Sequence, residues 1–189
     1  MFHTIISKLN WIDILLLICI LRMGYVGLKR GLFIEIFKIL NVLVCCFVTF
    51  HFYSSVGQLI NSKLPPLPLD AAKIFSYTAL CIIITLIFSI IREAIVVILR
   101  IETPTNIIKF LGAVLGVLRG VIISGLIIFG LYISTIHYLE MSARVSFLGQ
   151  KVVMVPTKIY ESIFRGFIYN LSQQQAFNND VSKALQPSE

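Results

Sequence analysis

Charge is scarce in this chain. Only 13% of its 189 residues are Asp, Glu, Lys or Arg, against roughly a quarter in a soluble domain, while 58% are hydrophobic and the mean hydropathy is +0.92. That balance excludes a water-soluble globule and points to an integral membrane protein. Histidine is also rare: His3, His51 and His137 stand far apart, and each reads as interfacial rather than catalytic. Cys19, Cys45, Cys46 and Cys81 lie inside apolar runs without zinc-like or redox Cys-x-x-Cys spacing, so they read as small core residues. No glycine-rich nucleotide loop follows a strand pattern. The sequence therefore points away from an enzyme, a cofactor or a metal centre.

The formal net charge of +7 has a similar reading, because the basic residues sit singly between apolar runs instead of clustering on a polar face. Anionic lipid headgroups are the expected partner, and nucleic acid is not.

Apolar runs are abundant. A hydrocarbon core about 30 Å thick needs about 20 helical residues to cross it, and four stretches meet that length, at 11–28, 32–53, 72–95 and 117–138. The expected fold is all-α and integral to the membrane, with about four transmembrane helices and a C-terminal amphipathic helix. Residues 1–140 form the membrane domain, 141–171 an amphipathic interfacial segment and 172–189 a disordered tail. Lys8 before the first run imitates a secretory signal, but Arg22 interrupts the run and no small-x-small cleavage pattern follows, so it reads as a retained span.

Between the spans, Leu28-Lys29-Arg30-Gly31 reads as a tight turn. Ser54 to Asp70, with Pro65, Pro66 and Pro68, reads as a linker that cannot stay helical throughout. Ile107 to about Leu118 reads as an interfacial lead-in to the fourth span. From Pro156, Ile159, Tyr160, Ile163, Phe164, Phe167, Ile168 and Leu171 recur with helical period, as expected of a helix lying on the membrane or docking on the spans.

The polar residues inside the runs are the candidate functional groups. Asp13, after Asn10 and Trp11, suits the first turn of a helix at headgroup level, with a proton-relay or ligand role as the sharper alternative. Glu35 and Lys38, three apart, either neutralise each other at the interface or leave Glu35 facing the bundle interior. Arg119 lies at the centre of the glycine-rich run Leu111 to Leu131, and either snorkels to headgroups or meets an intramembrane acid, for which Glu35 is the candidate. Glu93, beside Arg92, is a secondary candidate with Asp13. Gly24, Gly27 and Gly31 form one small-residue face, and Gly112, Gly116 and Gly120 another, of the kind that lets helices approach closely in lipid. Gly27-Leu28-Lys29-Arg30-Gly31-Leu32 is echoed by Gly116-Val117-Leu118-Arg119-Gly120-Val121.

With these residues located, the chain resembles the colicin V production protein family of bacterial inner-membrane proteins. The resemblance rests on Trp11-Ile12-Asp13, on Lys29-Arg30-Gly31-Leu32 followed by Glu35, on Leu111-Gly112 through Gly116 and Leu118-Arg119-Gly120, and on the aromatic helix from Pro156 to Leu171. The chain departs from the family at Ile108, where members often carry an acid before the basic residue, here Lys109. The resemblance implies a role in producing or exporting colicin V, or in envelope homeostasis. Two readings follow. One is a transport or channel-like component with a polar path through Glu35 and Arg119. The other is a non-transporting scaffold whose glycine faces bind other helices, with a second copy or an envelope protein as partner.

Overall fold

The computed structural model describes residues 10–30, 32–63, 68–99, 105–168 and 178–185. Four long helices are built from the apolar runs: α1 (Trp11–Arg30), α2 (Leu32–Lys63), α3 (Leu69–Leu99) and α4 (Asn106–Tyr132). All four are long and apolar enough to cross a membrane. Helix is the form these runs must take in lipid, since it satisfies every backbone group within the segment.

The four helices form two pairs, and the pairs are joined through one crossing. α1 packs along α4, α2 packs along α3, and α2 crosses α4 at the centre, while α1 scarcely touches α2 and α3 scarcely touches α4. The α1/α4 seam follows from glycine. A Cβ on Gly116 would sit 2.5 Å from the Met23 carbonyl oxygen, and one on Gly120 would sit 3.0 Å from Ile20 Cα. Gly27 faces the Gly112 backbone and Gly24 faces Val117 and Ala113. As residue numbers rise along α4 they fall along α1, so the two helices are antiparallel. Backbones approach this closely only because side chains are missing from both surfaces. The two small-residue faces read in the sequence are thus spent against each other inside one chain; Gly31 lies outside the described residues.

Three boundaries differ from expectation. α2 runs 32 residues to Lys63 rather than ending near Tyr53. Polar residues do not stop a helix once it leaves the hydrocarbon: Ser62 donates to the Leu59 carbonyl at 2.8 Å, and Ser54 and Gly57 are buried against other parts of the chain. Only the proline-bearing stretch separates α2 from α3. Second, α4 is one continuous helix of 27 residues without a break near Leu118, and its glycine face stays packed on α1 from Gly112 to Gly120. It ends at Tyr132, six residues before the expected boundary at 138, in a turn where the Ile133 amide donates to the Phe129 carbonyl at 3.2 Å. Third, α3 is helical from Leu69 to Leu99, beyond both expected ends at 72 and 95.

The C-terminal region is more broken than a single amphipathic helix. It forms α5 (His137–Val145), α6 (Phe147–Val152) and α7 (Met154–Ile163), followed by a π-helical turn at Phe164–Ile168. α6 and α7 dock on the spans: Pro156 and Tyr160 are buried, the Cys46 thiol donates to the Pro156 carbonyl at 3.3 Å, and Gly125 gives α4 room against Val152 and Pro156. Phe50 and Phe129, 4.5 Å between centroids, centre an aromatic core that Tyr53, Tyr77 and Tyr160 complete. Tyr77 keeps its hydroxyl satisfied there by donating to the Leu126 carbonyl at 2.7 Å.

Part of the expected disordered tail is ordered. α8 (Asn179–Leu185) buries Val181 completely. Asn178 donates to the Phe50 carbonyl at 2.7 Å, and Asp180 accepts from Ser54 at 2.6 Å and from Lys73 at 2.9 Å. The stretch expected to be disordered thus holds two polar anchors, Asn178 and Asp180, and one apolar plug, Val181. Residues 169–177 and 186–189 lie outside the described residues.

Candidate functional site

Glu35 sits on the first turn of α2, and Lys38 follows one turn later on the same side. Both turn inward. Glu35 is fully buried, Lys38 nearly so, and Arg119 reaches them from the middle of α4 with 4% of its surface exposed. Arg119 Nη1 lies 2.6 Å from Glu35 Oε2, and Lys38 Nζ bonds the other carboxylate oxygen. One acid thus bridges two bases from two helices, and the cluster holds one net positive charge. The second guanidinium nitrogen, Nη2, approaches the Met23 sulfur on α1 at 3.2 Å.

Of the two partners the sequence offered Arg119, headgroups or an acid, its side chain is turned to Glu35. For Glu35 and Lys38 it combines the alternatives, since the pair forms and also faces the interior. Arg30, the counterpart of Arg119 in the echoed motif, is exposed, so the two arginines have different surroundings.

Beside this cluster lies a cleft of about 630 Å³ between the α1/α4 pair and the α2/α3 pair. Arg22, Arg30, Lys38, Arg92 and Arg119 all contribute to its walls. The opposite end is lined mainly by apolar side chains, among them Ile82, Ile123, Leu126 and Ile127, with Thr78, Thr85, Cys45 and Cys81 interspersed. Among the described residues, Arg22 and Arg30 have no carboxylate partner, and Arg119 Nε and Asn41 Oδ1 have no hydrogen-bond partner. Both of those atoms are buried, so the open positive charge of the wall is that of Arg22 and Arg30.

The secondary candidates lie elsewhere. Glu93 is 74% exposed and pairs loosely with Arg92 at 3.4 Å, outside the buried cluster. Asp13 lies in the first turn of α1, as expected, and is fully buried. Its Oδ1 accepts from Ser146 Oγ at 2.6 Å and from the Leu148 amide at 2.8 Å, while Oδ2 accepts from the Asn10 amide at 2.8 Å. Ser146 in turn caps α6 by accepting from the Gly149 amide at 2.9 Å. Asp13 therefore ties the start of α1 to the start of α6. The carboxylate is tolerable in this position because donors converge on it.

Sequence reasoning missed the cleft walls. Arg22 carried a signal, as the charge interrupting an otherwise apolar span, and Arg92 another; neither could be assigned a common neighbour from spacing alone. Among the described residues no group of three or more His, Cys, Asp and Glu is placed to hold a metal.

The model of the family described as Colicin V production protein matches residues 12–172 of the chain. No curated protein and no solved structure matches it. The family match takes in all four spans, the Glu35–Lys38–Arg119 cluster and the docked helices α5 to α7. This multi-pass membrane protein belongs to the colicin V production protein family.

Proposed function

We propose that the protein is a non-enzymatic, transport-related component of the bacterial inner membrane, acting in the production or export of a peptide toxin or in envelope homeostasis, and that its cleft admits an anionic group. The observation that carries this reading is the buried Glu35–Lys38–Arg119 cluster at the wall of a cleft with further unpaired arginines. Ionisable groups at membrane depth are expensive, and where they persist they tend to line pathways. Glu35 holds two cations together that would otherwise repel, and it leaves the cluster positive. An anion entering from the Arg22 and Arg30 side meets increasing positive potential.

The scaffold reading has less support, because the glycine faces on which it relied are occupied by the α1/α4 seam. The test is flux through purified protein in liposomes, comparing a small organic anion with a cation of similar size. Protein-dependent passage of the anion, reduced in Arg119→Gln, supports the reading. Flux equal to that of protein-free liposomes, or unchanged in Arg119→Gln and Glu35→Gln, contradicts it.

A further inference from the structure

The cleft has the shape of an amphiphile rather than of a small solute. Its basic end lies where α1 finishes, α2 begins and α3 approaches its end, marked by Arg30, Lys38 and Arg92. Its other end is largely apolar, at Thr78 and Ile82 on α3 and Ile127 on α4. From Arg92 to Thr78 the α3 wall rises about 21 Å, at 1.5 Å per residue. That is more than the depth of one leaflet, about half of a 30 Å hydrocarbon core. The side of the cleft is also open. α3 makes little contact with α4 and is not a packing neighbour of α1, so both walls are exposed to the bilayer, with Arg22, Thr78, Ile82, Thr85 and Ile127 all exposed.

We infer that the cleft is a binding site for an anionic phospholipid, which enters sideways from one leaflet with its phosphate against Arg22, Arg30 and Arg119 and an acyl chain along the α3–α4 wall. The inference rests on the reading of the cleft as the place that admits an anionic group, and it names the chemistry of that group. Charge complementarity fixes the head. One carboxylate, Glu35, answers two of the basic residues, Glu93 answers Arg92 loosely, and Arg22 and Arg30 have no acid among the described residues. The apolar stretch fixes the tail: a free phosphate would use the arginines and leave Ile82 and Ile127 without purpose, whereas an acyl chain covers them.

The test is native mass spectrometry of the full chain released from nanodiscs containing equal amounts of phosphatidylglycerol and phosphatidylcholine, with glycerol phosphate added in a separate arm. One tightly retained phosphatidylglycerol per chain is expected, in preference to phosphatidylcholine. The double variant Arg22→Gln/Arg30→Gln should weaken its retention about twenty-five-fold, since each basic residue near an anionic surface contributes about a fivefold gain. Both positions are exposed and lie outside the buried cluster, so this variant keeps the fold. Thr78→Trp, which fills the apolar end without touching a charge, should also displace the lipid, and this separates a seated lipid from one attracted only to the surface arginines. Equal retention of the two lipids, retention unchanged in either variant, or displacement of the lipid by glycerol phosphate would overturn the inference. Anion flux in liposomes without lipid retention sinks this inference and leaves the transport reading standing; lipid retention without flux does the reverse.

Discussion

Arg119 on α4 and Glu35 on α2 meet at 2.6 Å with their side chains 5% and 0% exposed, 84 positions apart in the chain. The pair joins the two helices that cross at the centre of the bundle, and Lys38 completes its charge. Removing one partner of a buried pair leaves an uncompensated charge, which costs about 3–5 kcal/mol. Glu35→Gln should therefore lower the thermal midpoint in detergent sharply, because it strands two cations. Combining Glu35→Gln with Arg119→Met should cost less than the sum of the two single changes, since the double variant buries only Lys38 as a charge. Strict additivity in that cycle would show that the two side chains do not interact.

The α1/α4 seam makes a steric prediction. Gly116→Ala places a methyl group 2.5 Å from the Met23 carbonyl, where backbone must move, and overpacking of this kind costs about 1–3 kcal/mol. Gly166→Ala meets nothing within 4 Å and should be neutral or slightly stabilising. Thermal midpoints of the two variants compare them directly; equal values would argue against the close approach of α1 and α4.

Asp13 is predicted to hold α6 in place. Asp13→Ala removes the acceptor of both Ser146 Oγ and the Leu148 amide, a loss of about 2 kcal/mol for bonds to a buried charge. Amide hydrogen exchange at Leu148 and Gly149 should accelerate well before exchange in the middle of α4 does. If the helices exchange in parallel, Asp13 does not act locally.

The docking of α8 should depend on pH. The Ser54 hydroxyl and then the Lys73 ammonium hold the Asp180 carboxyl below its ordinary value, and burial only partly opposes them. A carboxylate with a depressed folded pKa stabilises the folded form above its unfolded value near 3.9 and loses that contribution as pH falls through the lower folded value. α8 should thus stay docked at neutral pH and loosen only in strong acid, while Asp180→Asn should loosen it at every pH. Fluorescence of a probe attached at Lys183, which is exposed, reports the release; a wild-type transition near pH 6 would contradict the assignment to Asp180.

Much of the framework was legible because lipid narrows the choices. Apolar runs of sufficient length must be helices, and glycines at helical spacing must meet another backbone. Glu35 was legible as the partner of Arg119 because few acids occur at membrane depth. The burial of Asp13 was not legible because its partners lie more than 130 residues away, and nothing in Asn10-Trp11-Ile12-Asp13 reports Ser146 and the Leu148 amide. The length of α2 was hidden because serine and asparagine suggest a loop by composition but accept a helix when tertiary contacts hold it, as Asp180 holds Ser54. The cleft itself is a property of how two helix pairs diverge, and no local pattern encodes that divergence.

The central claim is that the cleft is reachable and selects negative charge. Cys81 lines it and is partly exposed, so its thiol serves as a native reporter. The direct measurement is the rate at which Cys81, identified by peptide mass, is modified in proteoliposomes of phosphatidylcholine alone, which leave the cleft without an anionic lipid, by an anionic sulfonate methanethiosulfonate and by its cationic trimethylammonium counterpart, each normalised to its rate with a free thiol. The account predicts a faster normalised rate for the anion and a loss of that advantage in Arg22→Gln/Arg30→Gln. A cationic reagent that reacts as fast or faster, or a thiol that neither reagent reaches, would contradict it.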